Sequence, residues 1–454
     1  MAFIRVLATS AFSGDAESRE KVLSITAGHE RRSTVSRRFP YITSRRFSMI
    51  RCKVATMLLM GWLAISVAAA DWPQWRGPER DGISRETGLL DTWPAGGPRQ
   101  IWKTQGLGQG YAAVAIAQGR LFTQGQGGDH QFVLALDAAT GKRLWETPTG
   151  PAFSQDRGDG PRGTPTVDGD RLFALAGEGT LVSLDVQTGK VFWKMNVIEK
   201  FGSRAPHWGV SESPLVDGGN LIVTPGGRGA AIVALDKRTG NVVWQSQSDS
   251  AAYSSAISAV VGGIRQIIVF TGDGVVGLRA DNGALLWKYN KVSNRTANIA
   301  TPIFQNGFVF VSSAYGTGCA LLKLTAEGAT VKASEVYFST EMQNHYSTSV
   351  LVNGNIYGFS NAILTAMNLE TGQVDWRDRS VGKGSVTYAD GRLYLLSEDG
   401  VIGLAEATPS GYREKSRFQI PRGAFPTWTP PVISGGRLYL REQDNLYCYD
   451  IKNR

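Results

Sequence analysis

A chain of 454 residues with 54 Gly, 12 Trp and only 19% charged residues is composed for many short strands and tight turns around aromatic packing, which argues against disorder beyond the N-terminus. Its net charge of +9 is unevenly placed: residues 1–70 hold 11 Lys and Arg against 4 Asp and Glu, leaving +2 for residues 71–454. So small a surplus on the body of the chain removes the electrostatic footprint expected of a nucleic-acid binder.

Residues 1–48 are Arg- and Ser-rich without periodicity and read as a disordered extension or as the product of a misassigned upstream start, with Met49 the initiator. Arg51 and Lys53 then precede an apolar run from Val54 to Val67, which ends in Ala68-Ala69-Ala70 before Asp71. Positive, apolar and small-residue segments in that order predict a secretory signal peptide over 49–70. The run is shorter than the ~20 residues that span a bilayer, so no transmembrane segment is expected in the mature chain. The Arg45-Arg46 pair lacks the residues that complete a twin-arginine signal, and no lipid-anchor cysteine stands at the cleavage point. A periplasmic or secreted protein follows. Cys319 and Cys448 remain in the body, and their spacing specifies neither a motif nor a disulfide.

Residues 71–100 form an N-terminal extended segment, after which one pattern repeats. Ala135-Leu136-Asp137-Ala138-Ala139-Thr140-Gly141-Lys142-Arg143-Leu144-Trp145 recurs at Ser183 to Trp193, Ala234 to Trp244 and Ala366 to Trp376, with a weaker copy ending at Trp287. An apolar strand runs into Asp, whose carboxylate can cap the next amides, and Gly supplies the positive φ of the turn. The Trp falls on the returning strand, where a large ring can fill the wedge between neighbouring units. A second signal keeps the same period: strand–turn–strand hairpins centred on Gly119, Gly169, Gly218, Gly263, Gly307, Gly354, Gly391 and Gly436.

Eight hairpins predict an all-β, eight-bladed β-propeller over 101–454 with four-stranded antiparallel blades. The last unit ends before a Trp strand, and Ile101-Trp102 supplies one from the other end, closing the ring. The fifth and seventh units lack the Trp, with Val336-Tyr337-Phe338 and Ser416-Arg417-Phe418 in its place.

The motif resembles the tryptophan-docking repeat of quinoprotein (pyrroloquinoline quinone, PQQ) dehydrogenases and of PQQ-like propellers that bind no quinone. Trp72-Pro73-Gln74-Trp75-Arg76-Gly77-Pro78 and Glu406-Ala407-Thr408-Pro409-Ser410-Gly411-Tyr412 look more specifically like the exported PQQ-like repeat proteins of planctomycetes. The resemblance implies a central funnel formed by the loops that enter each innermost strand. Arg204-Ala205-Pro206-His207-Trp208-Gly209-Val210-Ser211-Glu212 is the richest of these. In a quinoprotein, Glu212 would be the catalytic base and, with Asn298, a calcium ligand; Arg162, His207, Trp208, Tyr253, His345, Lys383 and Trp428 would contact the cofactor. Each also admits a structural role: Trp208 as a plug, Glu212 paired with Arg162 or Arg204, His345 as a hydrogen-bonded structural imidazole, and Asp156–Gly160 as a solvated turn.

The chain has neither the adjacent cysteine pair of the established dehydrogenases nor a Cys-x-x-Cys-His haem motif. Two functions follow from different classes. One is a binding or scaffold propeller of the periplasm or cell surface that uses its funnel or a blade face to hold an envelope protein or a small molecule, with no cofactor assigned. The other is a PQQ- and Ca²⁺-dependent alcohol or polyol dehydrogenase.

Overall fold

The repeat turn is built from side chains that close on their own backbone. Asp137 Oδ1 accepts from the Thr140 amide (2.8 Å) and hydroxyl (2.6 Å), and Asp185 with Thr188, Asp236 with Thr239 and Asn368 with Thr371 do the same. The following glycine takes positive φ, 71° to 74° at Gly141, Gly189 and Gly240. The chain then reverses into the fourth strand of each blade.

The computed structural model describes residues 71–454, and the extension and signal peptide expected at 1–48 and 49–70 lie outside the described residues. Eight four-stranded antiparallel blades occupy 115–151, 166–196, 215–246, 257–289, 303–339, 350–378, 384–419 and, for the last, 432–450 joined by Gln100–Thr104. In that closing blade Trp102 pairs with Cys448 and Thr104 with Leu446, as the sequence led us to expect. Cys319 and Cys448 are buried free thiols.

The third and fourth strands of every blade share one irregularity. The register shifts by one residue immediately before the docking position, as where Ala135 pairs with Trp145 but Leu136 with Arg143. Equivalent shifts occur in the other seven blades. Such a bulge bends the strand and re-aims the next side chain. The skipped residues Leu144, Phe192, Val243 and Val336 face outward and account for much of the exposed apolar surface.

The re-aimed ring lies on the glycine turn of the next blade. The Nε1 of Trp145, Trp193 and Trp244 donates to Val186, Lys237 and Ala280 carbonyls at 3.2, 3.2 and 3.0 Å. Tyr337 takes the same role in the fifth blade, its hydroxyl donating to the Leu369 carbonyl at 2.9 Å. The seventh blade differs from the simple aromatic replacement that its sequence suggests. Ser416 holds the docking register, and its hydroxyl accepts from the Trp93 amide at 2.7 Å. Trp93, from the N-terminal segment, then fills the wedge edge-on against Phe418 at 5.3 Å between centroids.

The N-terminal segment is a strap across the pore. Trp72 bridges to Ile116 of the first blade, the Pro73 carbonyl accepts from the Val167 amide of the second, and Ile83–Ser84 adds parallel to Gly384–Ala389 of the seventh. Between these anchors two buried arginines reach the residues that enter the inner strands of the third, fourth and sixth blades. Arg80 donates to the Ser213, Pro214 and Ala256 carbonyls, and Arg76 to those of Thr348 and Ser349. Trp75 Nε1 donates to Thr301 Oγ1 at 3.0 Å. Burial pulls both guanidinium pKa values down, to about 10 for Arg76 and about 9 for Arg80, so both stay charged at neutral pH.

The ring-on-glycine contact is testable at Trp244 and Gly283, where an added Cβ would sit 2.6 Å from the indole. Trp244→Ala should cost about 3 kcal/mol by loss of a buried ring. Gly283→Ala should cost about 2 kcal/mol or more by overpacking and strained φ. In a double-mutant cycle followed by urea unfolding, the steric part of the Gly283→Ala cost should disappear when Trp244 is already Ala. Strict additivity would show that the two positions do not dock.

Candidate functional site

The loops that enter the innermost strands converge with the turns between second and third strands at one end of the ring. They enclose a cavity of about 520 Å³ to which all eight blades contribute. Its lining includes Tyr111, Arg157, Arg162, Trp208, Tyr253, Tyr315, His345, Tyr346, Lys383, Glu398 and Trp428, together with Trp75 from the strap.

Local packing fixes these groups. Tyr111, Trp428 and Tyr346 form a continuous stack, with centroids 4.9 and 5.6 Å apart and interplanar angles of 30° and 29°. Glu398 holds the stack in place: Oε1 accepts from Trp428 Nε1 at 2.7 Å and lies 3.0 Å from Lys383 Nζ, which in turn sits 5.5 Å above the Tyr346 ring. Arg162 donates to the Gly160 and Gly158 carbonyls at 2.5 and 2.7 Å, and its guanidinium lies over the rings of Tyr111 and Phe153. Across the cavity, the Trp208 amide donates to the Tyr253 hydroxyl at 3.3 Å. His345 Nε2 is 3.0 Å from the Tyr315 hydroxyl. Burial, with Lys383 and Arg157 nearby, lowers the His345 pKa to about 4, so the ring is neutral at physiological pH.

Six residues singled out in the sequence therefore meet in one cavity: Arg162, Trp208, Tyr253, His345, Lys383 and Trp428. His207 does not join them; it is exposed and packs edge-on against Trp208. Glu212 and Asn298 lie outside the lining, in the buried layer. Glu212 Oε1 accepts from the Thr224 amide at 2.6 Å, and the cation acting on it is Arg80, not Arg162 or Arg204. The Asn298 amide nitrogen faces the Thr271, Gly272 and Asn294 carbonyls, and its oxygen accepts from the Asn294 amide at 3.0 Å.

Sequence reasoning missed Trp75, Tyr315 and Glu398. Trp75 lies outside the repeats, whereas Tyr315 and Glu398 sit in turns that read as ordinary hairpin connections.

This donor set does not fit a calcium-bound quinone. Calcium takes six to eight oxygens, but the cavity's carboxylate, Glu398, is engaged by Lys383 and Trp428. Glu212 Oε1 and the Asn298 side-chain oxygen accept from the Thr224 and Asn294 amides, away from the lining. Among the described residues no three His, Cys, Asp or Glu side chains cluster as metal ligands. What the lining offers instead is flat aromatic surface and an excess of cations.

Comparison with known proteins agrees with this architecture. A family model described as outer membrane protein assembly factor BamB matches residues 129–378. BamB of Yersinia pestis is 27% identical over 252 residues, 53% of this chain and 62% of that protein, so the chain spans less than two thirds of that relative. The dehydrogenase subunit of alcohol dehydrogenase (quinone) from Komagataeibacter europaeus is 35% identical over 121 residues, 24% of this chain and 16% of that protein. The crystal structure of quinohemoprotein alcohol dehydrogenase from Comamonas testosteroni superposes with a TM-score of 0.61 at 12% identity, covering 85% of this chain and 81% of that one, a likeness of fold alone.

Burial raises the Glu212 pKa to about 7, and this has a consequence for stability. Below the ordinary carboxyl value near 4.5, native and unfolded states are both protonated. As pH rises from there to 7 the unfolded chain ionises first, so native stability falls by about 3 kcal/mol and then levels off. Glu212→Gln keeps an acceptor for the Thr224 amide and should flatten that part of the stability profile in urea titrations between pH 4.5 and 8. An unchanged slope would mean that another group controls it.

Proposed function

This chain belongs to the PQQ-like repeat β-propeller family, and from that premise we propose that it is an exported binding and scaffold protein of the periplasm or cell surface whose central funnel holds a ligand. The observation that supports this reading is a cavity lined from all eight blades by rings and cations without an oxygen set for calcium. The match to BamB, named as an outer membrane protein assembly factor, supports a role in the envelope. The apolar run before Ala68-Ala69-Ala70 supports export. No helix among the described residues is long and apolar enough to cross a membrane.

The second reading, a PQQ-dependent alcohol dehydrogenase, draws on the stretch of similarity to the quinone-linked alcohol dehydrogenase subunit. Its established chemistry needs a metal beside the quinone to polarise the reacting carbonyl. The two readings separate experimentally. Titration with PQQ in the presence and absence of Ca²⁺, followed by calorimetry and quinone absorbance, should show no calcium-dependent stoichiometric uptake, and a dye-linked assay should show no alcohol oxidation. Calcium-dependent uptake with turnover would put the dehydrogenase in its place. Expressed from Met49, the mature chain should begin at Asp71 by N-terminal sequencing and be released by osmotic shock; retention in the cytoplasm with the leader intact would overturn export.

A further inference from the structure

The funnel carries more specific information about what it holds. Its volume, about 520 Å³, is that of a small-molecule site. Trp75 of the strap lies in its lining and is anchored to the fifth blade through Thr301. Trp75 therefore helps set how deep a ligand can enter.

The charge of the lining is unbalanced. Arg157, Arg162 and Lys383 face a single carboxylate, Glu398, which already pairs with Lys383. Arg157 approaches Asp156 at 3.7 Å, and both are exposed. Arg162 has no carboxylate within ion-pair distance among the described residues, yet its two carbonyl bonds and the rings of Tyr111 and Phe153 hold it rigidly. Asp159 and Asp156 act on it from beyond contact distance, and a fixed, largely buried guanidinium without a contact ion pair can take an anion.

The polar atoms of the lining are also incomplete. Trp208 Nε1, Tyr346 Oη and His345 Nδ1 are buried without a hydrogen-bond partner in the protein. Buried polar atoms are nearly always paired, and three of them on side chains that line one cavity are groups that a ligand's oxygens can satisfy once those side chains turn toward it. The stacked Tyr111, Trp428 and Tyr346 rings supply a flat wall beside them.

We propose that the funnel is a receptor site for a small ring-borne carboxylate, its anion facing Arg162, its ring against the aromatic wall and its other oxygens accepting from Trp208 and Tyr346. This rests on the binding-protein reading above. The ring can be that of a hydroxylated aromatic acid, which presents a planar π face, or of a sugar acid, which presents the C–H face of a puckered ring; both carry a carboxylate and further oxygens. His345, being neutral, adds no charge and can serve as donor or acceptor to a ring hydroxyl.

The test uses benzoate, 4-hydroxybenzoate and glucuronate, with benzamide and methyl glucoside as uncharged counterparts. Binding is followed by calorimetry and by the fluorescence of the full chain, since Trp75, Trp208 and Trp428 all line the cavity. At least one acid should bind one-to-one without calcium, about tenfold or more tighter than its neutral counterpart, and more weakly as salt is raised. Benzoate or 4-hydroxybenzoate binding assigns an aromatic acid; glucuronate binding assigns a sugar acid. Arg162→Gln should lower the affinity by about tenfold or more. Trp208→Phe, which keeps the ring and removes the N–H, should lower it several-fold and remains informative if Arg162→Gln fails to fold. Failure of all three acids to bind at 10 mM (on the order of the weakest affinity a specific site would show), or binding indifferent to both substitutions, overturns the proposal. Calcium-dependent PQQ turnover would instead overturn the binding-protein reading and leave the acid titrations to be judged separately.

Discussion

The contact between a docking ring and the glycine of the next blade sets the geometry of everything else. A Cβ on Gly141, Gly189 or Gly283 would lie within 2.7 Å of the indole of Trp102, Trp145 or Trp244. The glycine is thus required twice, for positive φ and because a ring occupies the space of its side chain. Each blade is positioned by its predecessor, and Trp102 on Gly141 applies the same rule at the point of closure. Other junctions depart from it: Trp376 donates to the Thr408 carbonyl with no glycine under its ring, and the seventh blade takes its ring from Trp93. Trp287 donates to Gln266 of its own blade at 2.7 Å and packs with Leu324 and Val331 of the long hairpin strands Gly318–Glu327 and Thr330–Ser339. There an extended hairpin does the work that a short glycine turn does elsewhere.

Docking at the periphery leaves an unsolved problem at the axis, where the innermost strands present backbone carbonyls around a pore. Water could satisfy them only by leaving the pore open. The strap satisfies them with guanidinium groups instead, whose planar fork reaches several carbonyls at once from one side chain. A buried cation surrounded only by carbonyls is costly, and Glu212 lies close enough to Arg80 to offset part of that cost without forming a contact pair. The chain then runs outward, lends Trp93 to the seventh blade and Trp102 to the eighth, and so completes two blades that lack a docking Trp of their own.

The repeated part of this architecture was legible because its cause is local. Asp, Thr, Gly and Trp act within eleven residues, and period alone gives the blade number and the strand that closes the ring. The strap was not legible for the opposite reason. Arg76 and Arg80 bond to backbone atoms far away in sequence, and a carbonyl leaves no residue type to recognise. Ser416 misled for a related reason: the missing indole of the seventh blade comes from Trp93, 323 residues away. At the site, cationic and aromatic loop residues could be picked out by composition, but depth could not. Glu212 and Trp208 stand four residues apart on one loop, yet Trp208 lines the cavity and Glu212 lies in the layer beneath.

Depth is what separates structural from functional polarity in this molecule. In the lower layer, Arg76, Arg80, Glu212 and Asn298 all have partners within the protein, so their chemistry is used in holding the strap and the inner strands. In the upper layer, Trp208, His345 and Tyr346 carry buried atoms without partners, and Arg162 carries a charge that no carboxylate contacts, with Asp159 and Asp156 acting on it only from a distance. Residues of the same types thus have opposite meanings a few ångströms apart. The repeat explains how this can arise: docking rings and capped turns fix the periphery and leave the inner loops unconstrained by period. Those loops can hold groups that the fold does not satisfy by itself, which is the condition for a binding site rather than a packed core.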